Sequence, residues 1–504
     1  MAFEPVVPAR PLAWPPLVEY LRTLLTAHPD VYIVGGAVRD ALLQRPLHDL
    51  DLVTTGDGCP VARLIADALG GAYYPLDVER GVGRALIQWG SETITVDVAQ
   101  IRGPDLLTDL SLRDFTINAM AVLLAGDGQQ VLDPLGGLAD LQAKRLRLCA
   151  PRAIADDPVR SLRAIRLSLV FGLLIEPVTR AALRESAAQL RQCSAERIRD
   201  EFLAILRAPR PEAGLVALQQ LGLLREIIPE AETLTGVHQP PPHHYDVWKH
   251  TLVTVERLHS ILALLSGDRL PDDAANVQLG LIAFAFAGLR PQLKEYLSQT
   301  WANQRDHRGL LLLAALLHDI GKPASMQQRA GEAPSFHGHD QVGAAIVQER
   351  ARALRLSNEE IARLAAIVRH HMRPHWLFSS LPLTRRATYR FWRDTGEAGV
   401  DVCLLALADY LATYGMMLDT QSWVGYLELV RGLLESHFQR RDSDIAPPPL
   451  LTGRDLIQTL DLRPGPLVGE LLDHIAEAQV TGEISTREEA LELARRLLQN
   501  RSTS

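Results

Sequence analysis

The chain has 504 residues, 47% of them hydrophobic and 22% charged, with a formal net charge of −8. That length exceeds what one hydrophobic core supports, so roughly two to four domains are expected, and the acidic balance excludes a protein coated throughout in positive charge. Cys59, Cys149, Cys193 and Cys403 stand far apart with no C-x-x-C pair, which excludes a disulfide framework or zinc knuckle and fits a reducing cytoplasm.

Met1 to Pro16 is proline-rich and lacks the basic-then-apolar order of a secretion signal. From 17 to about 140, short strand-like runs alternate with helical patterns. The first run, Val31-Tyr32-Ile33-Val34, leads into Gly35-Gly36-Ala37-Val38-Arg39-Asp40. A Gly-Gly turn between strand and helix supplies free backbone N–H groups suited to a triphosphate. His48-Asp49-Leu50-Asp51 comes next. In a strand, Asp49 and Asp51 share one face, and His48, Leu50 and Leu52 take the other. Adjacent carboxylates repel unless a cation sits between them, and oxygen-only ligands favour Mg²⁺, an ion that also holds substrate phosphates. Residues 84–89 and 92–98 read as a hairpin around Gly90-Ser91. Asp97 lies on its polar face, a third acid able to pair beside Asp49 and Asp51 for two-metal chemistry. The combination points to nucleotidyl transfer.

From 141 to about 230 the pattern is helical, with turns at Gly172 and Pro209-Arg210-Pro211. Between Leu141 and Arg210 there are fourteen Lys or Arg against seven Asp or Glu. Directly after a nucleotide site, that surplus reads as a track for RNA phosphates. Gln239-Pro240-Pro241-Pro242 reads as a stiff linker, and helices dense in histidine run from His243 to about Thr413. A last helical stretch follows Pro447-Pro448-Pro449 and reaches Gln499. The apolar stretches around Leu279–Leu289 and Leu310–Leu317 are too short to cross a bilayer. They are expected as buried helices, and no membrane role is expected.

Six motifs then line up in order: Gly35 to Asp40, Asp49-Leu50-Asp51, Arg113-Asp114-Phe115-Thr116-Ile117-Asn118-Ala119, Asp133-Pro134-Leu135-Gly136-Gly137, Asp156-Asp157-Pro158-Val159-Arg160 and Glu196-Arg197-Ile198-Arg199-Asp200-Glu201. Together they resemble the class II tRNA nucleotidyltransferase and poly(A) polymerase family. The tail motifs Gly453-Arg454-Asp455-Leu456, Arg463-Pro464-Gly465-Pro466 and Thr486-Arg487-Glu488-Glu489-Ala490 look like those of its longer members. The resemblance implies an α+β chain: an α/β nucleotidyltransferase head at 17–140, a helical neck binding RNA and nucleotide at 141–235, and a helical tail at 414–504. It implies catalytic roles for Asp49, Asp51 and Asp97, triphosphate contacts from Gly35, Gly36 and Arg39, and ribose contacts from Arg113, Asp114 and Asn118. Nucleotide contacts are also implied for Asp157, Arg160, Arg163 and Arg166. If Asp157 and Arg160 stand three apart on one helix face, the carboxylate accepts from a base amine and the guanidinium donates to a ring nitrogen. Cytosine and adenine both satisfy that pair, whereas uracil and guanine present the opposite polarity. Two departures stand out: Leu112 where the family usually has the first of two arginines, and Asp156 where it usually has Glu.

His250, then His318-Asp319 in Leu316-Leu317-His318-Asp319-Ile320-Gly321-Lys322, then Asp409 resemble the HD phosphohydrolase superfamily. That implies an all-α HD domain at 243–413 with a divalent metal bound by those four residues, whose hydroxide can attack a phosphoester. His339 and His371 are expected to complete a second metal position. His238, His243, His244, His307 and His375 are expected to be surface or satisfied core residues.

The reading is a cytoplasmic enzyme that adds CMP and/or AMP from CTP or ATP, with Mg²⁺ at the head, to a tRNA or other RNA 3′ end without a nucleic-acid template. Two alternatives stay open: an A-only adding enzyme or poly(A) polymerase, and an HD phosphohydrolase with a non-catalytic RNA-binding head. The sequence specifies no oligomeric state.

Overall fold

The computed structural model describes residues 5–47, 49–268, 276–328 and 331–502, so His48 lies outside the described residues. The chain forms two compact units, Met1–Glu201 with Gln220–Glu226, and Phe202–Gln219 with Ile227–Ser504.

The first unit is built on a seven-stranded sheet. Its strands are β1 (Tyr32–Val34), β2 (Asp49–Thr54), β3 (Ala72–Asp77), β4 (Val82–Trp89), β5 (Glu92–Gln100), β6 (Ala121–Leu123) and β7 (Val131–Leu132), in the spatial order β3-β4-β5-β2-β1-β6-β7. Among the described residues of this sheet, only β2 and β5 run parallel. Alternation decides the faces. Leu50, Leu52, Val96, Val98, Ala85 and Ile87 point into one core with Val61 and Ile65 of the helix Gly58–Ala68, which leaves Asp49, Asp51 and Asp97 on the opposite side. The hairpin forms as expected, with Trp89 opposite Glu92 and Arg84 opposite Asp97, and on the other flank Asp51 is the register partner of Asp97.

Gly35 joins β1 to the helix Gly36–Leu42 with φ +73°, a conformation that costs an L side chain energy. A Cβ there would stand 3.0 Å from Arg113 Nη1 and 3.3 Å from Asp51 Oδ2. The neck departs from an all-helical expectation, because Arg145–Leu146 and Leu174–Ile175 pair as a small parallel sheet.

The second unit is helical. Val247–Ser266 packs against His307–Leu317 and Gly399–Tyr414. Every residue from Leu310 to Leu317 is buried as expected, whereas Val277–Ala285 is only half-buried and leaves Phe284 84% exposed. At Gly321 a Cβ would lie 2.1 Å from the His339 carbonyl, so only glycine lets the helix His339–Ala353 approach the His318-Asp319 turn so closely. The helices Gly453–Leu460, Pro466–Thr481 and Arg487–Ser502 bury their own small core around Leu456, Leu471, Ile475, Ala490 and Ala494. No helix among the described residues is long and apolar enough to cross a membrane.

Candidate active sites

An open cavity of about 610 Å³ above the exposed sheet face is lined by Gly35, Gly36, Arg39, Asp49, Asp51, Asp97, Arg113, Asp114, Asn118, Arg160, Arg163 and Arg166. All but one of the head and nucleotide residues expected from sequence converge there; Asp157 is the exception. Asp51 opens onto the cavity, yet surrounding protein strips enough water from its carboxylate to raise its pKa, with Asp97 and Asp49 adding to the rise against Arg113. An oxygen-only donor pair whose charge is costly to keep suits a hard divalent cation. Asp97 is already partnered, since Arg84 donates Nε and Nη2 to its two oxygens at 2.7 and 2.8 Å.

The glycine turn differs in one respect from expectation: the Gly35 N–H is not free but donates to the Met120 carbonyl at 3.3 Å. Arg39 is fixed from three sides. It gives Nε and Nη2 to Asp40 at 3.0 and 2.9 Å and Nη1 to Asn118 Oδ1 at 2.6 Å, and its guanidinium lies 4.2 Å from the Phe171 ring centre. Asn118 in turn donates to Asp114, which also accepts from Phe115 N–H and from Arg163. Burial opposes the Asp114 charge, but Arg163 and these donors hold it below the usual carboxylate range. Glu201 then accepts from both Arg163 and Arg166, so one continuous polar chain runs from Arg39 to Arg166.

Asp157 and Arg160 do not share a helix, contrary to expectation. Pro158 disfavours helical backbone in the residue before it, and Asp157 is extended (φ −152°, ψ 90°) between the helices Ala153–Asp156 and Arg160–Phe171. Arg160 donates to the carbonyls of Leu112, Arg113 and Ala153, and Asp156 sits 3.9 Å from Arg152. Much of the basic neck is also internally paired: Arg145 and Arg147 with Asp140, Arg191 with Glu226, and Arg197 with Asp157. Arg180 and Arg184, one turn apart on the helix Pro177–Glu185, are exposed and have no ion-pair partner among the described residues.

The second unit brings together the whole HD set. His250 Nε2 lies 2.9 Å from Asp409 Oδ1 and 3.7 Å from Asp319, and His318 Nε2 lies 3.1 Å from Asp319. His339 and His371 approach the other Asp319 oxygen at 3.4 and 3.7 Å, and their Nε2 atoms are 3.2 Å apart. The Nδ1 atoms of His318, His339 and His371 face the carbonyls of Ala315, Phe336 and Val368 at 2.7–2.8 Å, which turns each Nε2 toward the centre, as metal-binding imidazoles require. Burial keeps His250 below the ordinary histidine value and His371 down at about 3, so both stay neutral donors. The buried His318 Nε2 has no hydrogen-bond partner. Two trios, His250-His318-Asp319 and Asp319-His339-His371, are each compact enough to hold one metal ion. Neutral imidazoles converging on buried carboxylates fit a metal.

Family models match residues 31–147 as "Poly A polymerase head domain", 172–234 as "Probable RNA and SrmB- binding site of polymerase A", 291–414 as "HD domain" and 446–494 as "tRNA nucleotidyltransferase domain 2 putative". An A-adding tRNA nucleotidyltransferase of Deinococcus radiodurans is 34% identical over 92% of this chain and 94% of its own length. A CC-adding tRNA nucleotidyltransferase of Thermus thermophilus is 32% identical over 92% of each chain. This chain belongs to the tRNA nucleotidyltransferase family. It is therefore a nucleotidyl-transferring enzyme, with the α+β head, helical remainder and HD domain of that family. A CCA-adding enzyme of Thermotoga maritima in complex with tRNA shares the fold over 99% of this chain and all of its own (TM-score 0.56, 20% identity), as does a CCA-adding enzyme bound to ATP over 96% of both (TM-score 0.61, 20% identity).

Several residues at these sites were not anticipated. Arg84, Thr95 and Arg102 line the head cavity of this nucleotidyltransferase. Arg84 had a signal, because counting back from the Gly90-Ser91 turn sets it opposite Asp97. His243 and His375, expected to be bland, both line the HD cavity of about 370 Å³ with Lys322 and Gln239, and His375 Nε2 lies 2.9 Å from Asp409 Oδ2. His375 is 34 residues from its partner in the chain, and no local pattern announces that contact. His250 stands outside the matched HD segment and still meets Asp319 and Asp409.

Proposed function

We propose that the head cavity transfers CMP and/or AMP from CTP or ATP to the 3′ hydroxyl of tRNA, with release of pyrophosphate. The observation that carries this reading is Asp49 and Asp51 on one open strand face, in one cavity with Gly35, Arg39, Arg113 and Arg160. Family membership implies divalent-metal dependence, and we assign the ion to Asp49 and Asp51 as Mg²⁺. Asp49 and Asp51 would hold that ion, which would supply neutralisation of phosphate charge and activation of an RNA hydroxyl as nucleophile. The chain's own groups do the rest. Arg39, braced by Asp40 and Asn118, meets the triphosphate; Asp114 and Asn118 read the ribose; Asp157 and Arg160 select the base; and Arg180 and Arg184 hold tRNA phosphates. Free cysteines suit a reducing cytoplasm as the setting.

A second reading concerns which nucleotides are added. Relatives named A-adding and CC-adding share 34% and 32% identity with this chain, so addition of A alone or of CC alone is open to the same site. Supplying ATP or CTP singly to tRNAs lacking one, two or three terminal nucleotides separates these outcomes. The main reading requires incorporation on at least one of these ends and none without a divalent cation.

For the second unit we propose a metal-dependent phosphoester hydrolase centred on His250, His318, Asp319 and Asp409, with His339 and His371 at the second metal position. Its support is the buried donor set, in which the imidazole Nε2 atoms converge on the carboxylates of Asp319 and Asp409. Asp319→Asn should abolish metal-stimulated hydrolysis of bis(p-nitrophenyl) phosphate and leave nucleotide incorporation standing.

A further inference from the structure

The acids of the head site lie in a row that already contains a cation. Asp51, Asp97 and Arg84 are register neighbours across β2, β5 and β4. Arg84 lines the same cavity as Asp49 and Asp51, and its side chain is 41% exposed there. It donates twice to Asp97 in the parallel fork that makes arginine–carboxylate pairs strong. Asp49, by contrast, has no ion-pair or hydrogen-bond partner among the described residues, and Asp51 has none either.

We propose that Arg84 is a positioning residue that acts as a resident counter-charge: it holds Asp97 out of the metal-binding set and thereby sets how much divalent cation the head requires. The chemistry is a competition. A cation that draws on Asp97 must displace two charge-assisted hydrogen bonds, while one that rests on Asp49 and Asp51 alone need not. Arg84 also lies within Coulombic reach of Asp49 and Asp51, so it weakens the attraction of the whole row for a second positive charge. Replacing it by an uncharged side chain of similar length frees Asp97 and removes that repulsion. A lysine keeps the charge but cannot form the fork. The inference rests on the reading of Asp49 and Asp51 as the cation's ligands.

The test is a Mn²⁺ titration of the full chain by electron paramagnetic resonance, comparing wild type, Arg84→Met and Arg84→Lys. The head component is defined as the binding that Asp51→Asn removes. Arg84→Met should bind Mn²⁺ at the head at least fivefold more tightly, with Arg84→Lys between it and wild type. In incorporation assays the Mg²⁺ concentration for half-maximal rate should fall in the same order. Head affinity that is unchanged or weaker in Arg84→Met overturns the proposal, as does Arg84→Lys behaving like Arg84→Met. If Arg84→Met fails to fold by circular dichroism, the lysine variant carries the test: tighter binding than wild type supports the competition, and equal binding overturns it. A wild-type enzyme that binds Mn²⁺ at Asp51 but extends no tRNA refutes the proposed transfer and leaves this inference standing, so the two failures are distinct.

Discussion

Arg197 Nη2 donates to Asp157 Oδ2 at 2.7 Å, and Arg160 Nε stands 3.6 Å from that same oxygen. One carboxylate oxygen thus serves two arginines, while Oδ1 has no hydrogen-bond partner among the described residues. Because Asp157 is extended rather than helical, its place is set by Pro158 and Arg197, not by helix geometry.

If Asp157 selects the base, Asp157→Ala should cost discrimination more than turnover. Losing one charge-assisted hydrogen bond is worth about 1.5–3 kcal/mol, or roughly 10- to 100-fold. Ratios of kcat/KM for CTP or ATP over UTP should fall by that factor. An unchanged ratio would place base choice elsewhere.

Arg180 and Arg184 are the exposed, unpaired cations of the neck helix Pro177–Glu185. Reversing both to Glu should weaken tRNA binding and lower the slope of log K against log salt by about 2. Reversing Arg147, which is tied to Asp140, should do less to that slope. Filter binding across a salt series measures both.

The head carries a stability cost that follows from its chemistry. Burial raises the Asp51 carboxyl above its ordinary value, so the folded state holds that proton more tightly than the unfolded chain does. The stability it contributes is therefore present at low pH and is lost as pH rises through the raised value. In EDTA at pH 7, Asp51→Asn should melt at a higher temperature than wild type, and the gap should close toward about pH 4. Added divalent cation should stabilise wild type more than the variant, which keeps only the metal position of the HD unit.

In the HD unit, His375 touches Asp409 Oδ2 and stacks against Tyr426 at 5.4 Å, which fixes the carboxylate from behind. His375→Ala should lower metal affinity there by about 10- to 100-fold, the usual effect of removing an orienting group. Nucleotide incorporation should not change. Isothermal titration with Mn²⁺ before and after the substitution tests it.

Much of the head was legible because strand alternation is a local rule. The spacing of Asp49 and Asp51, the Gly90-Ser91 turn and the run before Gly35 each fix geometry within a few residues. The failures are long-range or competitive. The Gly35 N–H goes to Met120, 85 residues away, and no spacing reveals that. Asp157 and Arg160 obey helix spacing, but Pro158 between them breaks the helix. His375 finds Asp409 only through packing of the helices Arg373–Phe378 and Gly399–Tyr414. The half-exposed Val277–Ala285 shows that an apolar run reports composition, not burial.

The claim that two strand acids carry nucleotidyl transfer is tested most directly by single-nucleotide extension of tRNA with defined ends, comparing wild type with Asp49→Asn/Asp51→Asn. The account predicts at least about a thousandfold loss of incorporation in the double variant, on the scale of removing a principal charge-stabilising element, with tRNA binding retained. Incorporation within tenfold of wild type would contradict it.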